Sequence, residues 1–293
     1  MMQLLKLLKF VWRHPLNKNA KGKALIRVAK WQLASRMLAG PIALPFVEGA
    51  QLFAIRGMTG ATGNWYCGLH EVIEMGFVLH LLRQSDFFLD VGANIGSYSI
   101  LAAAGVGARV TAVEPIPETF AYLEKNVILN GFAARVRTCC MGLSDAASTV
   151  RFTSTLDTVN HVMADGEVGS GVDVSVMRLD DLVSDDVPVL IKIDVEGHER
   201  AVLLGGEKTL EDSRLLAVIM ETNGSGARYG IADDELVIVM SRHGFRPYGY
   251  DPFRRCLLES NPTDGNTIFI RDEALVIARI NAAKRCQLIN GTI

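Results

Sequence analysis

The stretch Phe88-Leu89-Asp90-Val91-Gly92-Ala93-Asn94-Ile95-Gly96 decides the fold. A short apolar strand runs into Asp90, two glycines bracket a turn, and Ser97-Tyr98 opens a segment with helical periodicity. Glycines at such a place let a strand turn tightly into a helix while the backbone lies against a ligand. The spacing is Asp-x-Gly-x-x-x-Gly. The dinucleotide fingerprint Gly-x-Gly-x-x-Gly is absent, because position 94 is Asn and position 97 is Ser. A nicotinamide dinucleotide needs its pyrophosphate on the helix N-terminus, whereas S-adenosylmethionine has no phosphate and presents an ammonium and a sulfonium. An acid at the strand end, Asp90, suits the cationic ligand.

A second buried-type strand, Arg109-Val-Thr-Ala-Val113, ends in Glu114-Pro115, 24 residues after Asp90. In doubly wound folds an acid at the tip of the second strand accepts hydrogen bonds from ribose hydroxyls. With a helix-like stretch over 97–105 between them, the two strand-end acids define one βαβ unit. The rhythm then continues: helix 117–130, strand 135–140, polar β-rich runs at 148–154 and 172–177, strand 189–194, helix 198–210, strand 215–221 and helix 233–243. Such alternation implies an α/β fold with a mostly parallel sheet covered on both faces. Toward the C-terminus, Arg254–Glu259 and Thr267–Arg271 read as an antiparallel hairpin joined by a Pro262/Gly265 loop. Residues 51–85 read as a short strand at 51–55, a glycine-rich turn (Gly57, Gly60, Gly63) and a helix near 71–82.

A further constellation, Lys192-Ile193-Asp194-Val195-Glu196-Gly197-His198-Glu199, puts a lysine inside an apolar strand and acids at its carboxyl end. Ligands of open α/β sheets sit at the carboxyl ends of the strands, so Asp90, Glu114, Asp194 and Glu221 all point into one crevice. Ionised carboxylates are rarely buried unpaired; Lys192 is the group placed to neutralise one of them. His198 has two chemical uses. Its ordinary pKa near 6.5 suits removal of a hydroxyl proton; alternatively Asp194, Glu196 and His198 hold a divalent metal that acidifies the hydroxyl directly. The metal is the less favoured alternative, and a helix-start histidine bonded to backbone is the plain one. His161, in the 157–161 loop, is a weaker second base.

Taken together, the Asp-Val-Gly-Ala-Asn-Ile-Gly turn, the Val-Glu-Pro strand end, the Gly142-Leu-Ser-Asp145 turn and Lys-Ile-Asp-Val-Glu-Gly-His-Glu resemble the FkbM family of S-adenosylmethionine-dependent methyltransferases over about residues 60–250. The resemblance implies a Rossmann-like class I methyltransferase fold: a mostly parallel seven-stranded sheet, with the C-terminal hairpin and a helical N-terminal extension. It also implies methyl transfer to a hydroxyl of a sugar, polysaccharide component or other small molecule. By the same resemblance Asp90, Gly92, Ala93, Asn94 and Gly96 form the loop beside the methionine, and Glu114 with Pro115 meets the ribose. Ser144 and Asp145 border the adenine, while Asp194, Glu196 and His198 lie at the reacting centre. Tyr66 and Glu71, in the segment before the first motif strand, are placed to close over the cofactor or to serve only in turn packing and helix capping.

Composition narrows the remaining classes. The chain has 293 residues, 49% hydrophobic, ample for one large domain with a core. The division expected is a basic helical extension over 1–50, broken at Pro15, Pro41 and Pro45, and the methyltransferase domain over 51–293. Nine of the 30 Lys and Arg precede Glu48 with no acid among them, so the remaining 21 face all 32 Asp and Glu. An acidic catalytic domain disfavours nucleic acid as partner. The basic leader reads as a solvated helix capping that acidic domain or, through residues 1–15, as a peripheral contact with an anionic membrane face. No apolar run reaches the roughly 18 residues of a membrane span. Five scattered cysteines without Cys-x-x-Cys pairs read as free thiols, fitting a cytoplasmic location. An NAD(P)-dependent oxidoreductase is disfavoured by the missing glycines and by the lack of a Tyr-x-x-x-Lys pair. A non-catalytic membrane-docked relative is disfavoured by the intact strand-end acids.

Overall fold

The computed structural model describes residues 2–153, 160–164, 167, 169–259 and 265–293. Helices α1 (Met2–Arg13) and α2 (Lys21–Met37) precede a hairpin of β1 (Ile42–Pro45) and β2 (Gln51–Ala54), then α3 (Thr59–Cys67) and α4 (Val72–Leu81). The alternating unit comes next, as β3 (Phe87–Val91), α5 (Ser97–Gly105), β4 (Arg109–Val113), α6 (Pro117–Leu129) and β5 (Val136–Cys139). A separate three-stranded sheet is formed by β6 (Gly142–Ser144), β7 (Ser148–Thr153) and β8 (Gly171–Arg178), with β8 in the middle. After α7 (Leu179–Val183) come β9 (Leu190–Ile193), α8 (Glu199–Leu204), α9 (Glu207–Glu211), β10 (Ala217–Thr222) and α10 (Asp233–Arg242). The chain ends with β11 (Arg246–Asp251), β12 (Cys256–Glu259), β13 (Gly265–Ile270), α11 (Glu273–Asn281) and the small hairpin β14 (Gln287–Leu288) and β15 (Gly291–Thr292).

The main sheet has the order β12-β11-β13-β10-β9-β3-β4-β5. Strands β5, β4, β3, β9 and β10 run parallel, and β13, β11 and β12 are antiparallel to their neighbours. This is the Rossmann-like class I methyltransferase arrangement, with seven strands and β12 added at the edge. The chain moves from β3 outward to β5 and then crosses back to β9 on the other side of β3. The topological switch therefore lies between the carboxyl ends of β3 and β9, where such sheets bind ligands. Alternate residues of the central strands feed two cores. Phe88, Val110, Leu190 and Ile219 belong to the core on one face, which α4, α5 and α6 cover. Leu89, Val113, Ile191 and Val218 pack against α8 and α10 on the other. Both faces being covered explains why β3 and β9 read as continuous apolar runs rather than as alternation.

Four sequence expectations are corrected. Residues 42–45 form strand β1 instead of continuing the helices: the flanking Pro41 and Pro45 oppose a helix, and β1 pairs with β2. The edge of β2 is closed by side chains of α6 and its C-terminal cap, with Asn130 bonding both the amide and the carbonyl of Gln51 at 2.8 Å and Asn126 accepting from the Phe53 amide at 2.7 Å. Gly60 and Gly63 lie within helix α3 and not in a turn; a Cβ on Gly63 would meet the His70 ring at 2.1 Å, so packing sets that glycine. The expected helix 198–210 is two short helices broken at Gly205-Gly206, where a Cβ on Gly205 would meet the Ser144 carbonyl at 2.0 Å. The C-terminal hairpin is β11 with β12, while β13 inserts between β10 and β11. Pro262 lies outside the described residues.

Candidate active site

The local structure at the switch starts from Gly92. Its φ is +76°, and a Cβ there would meet the Asp194 carbonyl oxygen at 1.8 Å. Only glycine lets the turn after β3 pass this close to the turn after β9. The amides of Gly92 and Ala93 both donate to the Val113 carbonyl, at 3.0 and 2.9 Å. Asn94 is left-handed at φ +51°, and its side-chain oxygen accepts from the Ile95 amide at 2.8 Å, the local bond that makes asparagine tolerant of this region. Glu114 draws the same turn toward β4: its carboxylate accepts from the Asn94 and Ile116 amides, each at 2.9 Å. Burial pushes the Glu114 carboxyl up to about 7 despite these two bonds.

Beneath the turn, Asp90 and Lys192 are direct partners across the β3–β9 pair. Both are almost wholly buried. One oxygen of Asp90 accepts from Ser99 Oγ at 2.6 Å; the other has no hydrogen-bond partner among the described residues. Burial raises the Asp90 carboxyl, and the Lys192 ammonium opposes that rise. Lys192 Nζ donates to Asp194 Oδ2 at 2.6 Å and lies 4.7 Å from the centre of the Tyr98 ring. Burial works against the lysine's charge, yet Asp194, Glu71 and Asp90 around it hold it above its ordinary value. Tyr98 in turn donates to Glu71 at 2.6 Å.

A cavity of about 270 Å³ joins these groups. Asp90, Gly92, Ala93, Asn94, Glu114, Pro115, Asp194, Glu196 and His198 all line it, as do Glu71 and Glu221. Gly96, Ser144 and Asp145 do not. Gly96 starts α5 at φ +88°, and a Cβ there would meet Leu123 at 2.6 Å, so it serves helix packing. Leu143 and Phe152 supply the wall where Ser144 and Asp145 were expected. Ser144 is buried behind the cavity wall and turned to His198 instead, its Oγ 3.0 Å from Nε2 and 3.1 Å from Asp145 Oδ1. That contact orients His198, whose pKa is lowered by burial with Asp145 opposing. Tyr66 does not line the cavity; it sits in the core, where its carbonyl accepts from Arg27 and Asn17. His161 is paired with Glu167 at 3.0 Å, and its neighbour Asn160 lines the cavity instead.

The acids at the carboxyl ends of β9 and β10 converge. Each of Asp194, Glu196 and Glu221 has a carboxylate oxygen within 4.8 Å of the other two. The metal set suggested by the sequence is thereby changed, with Glu221 taking the place of His198. Glu196 is held left-handed at φ +53°, and burial with the Asp194 charge pushes its carboxyl up to about 7. Burial, then Asp194, pushes Glu221 to about 9. Glu199 points the other way, accepting from the Val195 and Gly197 amides at 3.2 and 3.1 Å and so bracing the turn. Sequence alone marks Glu221 only as a strand-end acid; Thr59, His70 and Phe152 reach the cavity from elements whose position no local motif reveals.

Comparison with known proteins bears on the stretch that builds this cavity. A family model described as the methyltransferase FkbM domain matches residues 90–247, just over half of the chain. Among curated relatives, the 31-O-demethyl-FK506 methyltransferase FkbM of Streptomyces tacrolimicus is 30% identical over 199 residues, covering 56% of this chain and 74% of that protein. The hexuronic acid methyltransferase AglP of Haloferax volcanii is 30% identical over 154 residues, 52% of this chain and 62% of that one. An S-adenosylmethionine-dependent methyltransferase structure from Agrobacterium tumefaciens aligns at 11% identity and a TM-score of 0.45, over 80% of this chain and 72% of the other. The chain belongs to the FkbM family of methyltransferases.

Proposed function

We propose that this chain transfers a methyl group from S-adenosylmethionine to a hydroxyl of a small molecule or sugar. The observation that carries the reading is the single cavity that joins the Gly92 turn, the unpartnered buried oxygen of Asp90, Glu114, and the acids Asp194, Glu196 and Glu221. The donor set fits that cofactor. The orphaned Asp90 oxygen suits an ammonium, and a buried acceptor without a partner is costly until one arrives. Glu114 has two bonds from amides and retains lone pairs for ribose hydroxyls. Leu143, Ile116 and Phe152 offer an apolar seat for a flat base. When bound, the cofactor supplies an electron-poor methyl carbon. Two relatives carry names that specify 31-O-demethyl-FK506 and a hexuronic acid, both hydroxyl-bearing molecules.

The chain's own residues then have distinct tasks. Lys192 fixes Asp194, and Tyr98 with Glu71 closes the wall beside it. Burial and the neighbouring Asp194 charge raise the Glu221 carboxyl, which favours its protonated form. Glu196, near 7, is the carboxylate whose ordinary cycle matches removal of a hydroxyl proton at that pH. His198, held by Ser144, orients the acceptor. A divalent ion between Asp194, Glu196 and Glu221 competes with Lys192 for Asp194, and this makes proton removal by Glu196 the preferred reading. The test is Glu196→Gln assayed with labelled S-adenosylmethionine against a panel of sugars and hydroxylated metabolites. Methyl transfer is expected to fall by about 10²–10⁴-fold, with calorimetric affinity for S-adenosylmethionine unchanged. Full activity in that variant removes Glu196 from the role; no heat of cofactor binding in the unaltered protein sinks the reading as a whole.

A further inference from the structure

We propose that the outer face of α1 and α2 is a docking surface for an anionic lipid bilayer. On α2 the buried residues Ala24, Arg27, Val28 and Trp31 define the side facing the core. Ile26, Leu33 and Met37 repeat at helical intervals on the opposite side, 55%, 62% and 73% exposed. On α1, Leu5 and Trp12 are seven residues apart and also open to solvent, at 62% and 48%. Isolated exposed apolar side chains are common, but a stripe on adjacent packed helices is a surface that water does not favour.

Charge identifies the occupant. Lys6, Lys9 and Arg13 on α1 and Lys23, Lys30 and Arg36 on α2 are all exposed, and no acid precedes Glu48. Lys23 and Lys30 stand at i−3 and i+4 from Ile26, beside the apolar stripe. Among the described residues none of these six cations forms a salt bridge. Apolar side chains rimmed by lysines match the boundary between anionic headgroups and acyl chains. A second copy of the chain would bring the same cations face to face in a two-fold pairing. Nucleic acid offers phosphates but nothing for Leu33 and Met37 to enter.

Position supports the same partner. A groove lined by Leu4, Leu7, Phe10 and Trp31 runs along this helical layer to Thr59 and His70. Thr59 and His70 also line the catalytic cavity. The exposed cations Lys6 and Arg36 also line this groove, so docking of the outer face brings the rim of the groove, and not its Trp31 floor, to the bilayer.

Co-sedimentation of the full chain with vesicles tests this, without cofactor and so independently of the proposed reaction. Binding is expected to vesicles of phosphatidylcholine containing phosphatidylglycerol and not to phosphatidylcholine alone, weakening as salt is raised. Leu33→Glu with Met37→Glu should cut the partition coefficient more than tenfold, and Lys23→Ala and Lys30→Ala about fivefold each. Thermal melts of these surface variants should match the unaltered protein, which separates lost docking from lost folding. Equal partition onto both vesicle types, absence of binding, or unaffected variants overturns the proposal. So does a wild-type dimer in solution that Leu33→Glu with Met37→Glu disperses while vesicles remain unbound.

Discussion

Replacing Lys192 by Met keeps the length of the side chain and deletes its charge, and the surroundings of the ammonium set the cost. The side chain is 3% exposed, its ammonium is bonded to Asp194 at 2.6 Å, and its backbone stands opposite that of the buried Asp90 in the neighbouring strand. Removing one partner of a buried ion pair costs about 3–5 kcal/mol, because the other charge stays behind. Asp194 keeps 29% of its side chain open to water, which places the expectation near the lower end, about 3 kcal/mol. At roughly 2–4 °C per kcal/mol for a chain of this order of size, the melting temperature falls by about 6–12 °C. The pH dependence has a definite sign. Lys192 is held above its ordinary value, so its contribution is complete and uniform between pH 5.5 and 8 in the unaltered protein. Asp90 is a carboxyl raised by burial and restrained by that ammonium. Without the lysine it rises further, and a carboxyl that binds its proton more tightly folded than unfolded loses stability as pH rises. The deficit of Lys192→Met is therefore smaller at pH 5.5 than at pH 8. Scanning fluorimetry of both proteins at the two pH values measures it. A drop below 2 °C at pH 8, or a deficit that does not grow with pH, refutes the placement of Lys192 as the neutralising charge.

The same geometry bears on three other substitutions or treatments. Gly92→Ala must displace the Asp194 carbonyl, now 1.8 Å from the new Cβ, and hold alanine at a positive φ; about 2–5 kcal/mol of stability should be lost, visible as a lowered melt. Glu114→Gln turns one acceptor oxygen into a donor facing the Asn94 or Ile116 amide, and calorimetric affinity for S-adenosylhomocysteine should fall by about 10–100-fold; an unchanged affinity removes Glu114 from the ribose role. Because Lys192 already occupies Asp194 Oδ2, dialysis against EDTA should leave methyl transfer within about twofold, and a loss restored by magnesium or manganese would assign the three acids to a metal instead.

The parts of the fold that could be read in the sequence are those whose physics is local. The apolar run into Asp90 and the positive-φ glycine at 92 define β3 and its turn without reference to the rest of the chain. The same holds for β9, where a lysine in an apolar run already signals a buried partner. What escaped is set by distant contacts. Gly63 looks like a turn residue, and only the ring of His70 shows why a helix needs it. Arg254–Glu259 and Thr267–Arg271 have the composition of a hairpin, but β13 gains more by pairing on both sides, with β10 and β11. Ser144 carries a motif, yet its hydroxyl is turned to His198, a residue 54 positions later. Local chemistry indicates which residue types can serve; which of them share a cavity is decided by how the two cores close.

Asn126 gives the architecture an unexpected unity. This wholly buried amide accepts from Phe53 of β2 and donates to the Ile95 carbonyl at 2.8 Å. One side chain thereby joins the N-terminal hairpin to the turn after β3. Loosening of the hairpin would remove one of the two bonds that hold this buried amide, and with it a support of the turn. Strand β2, outside the main sheet, is thus part of the framework that holds the turn after β3.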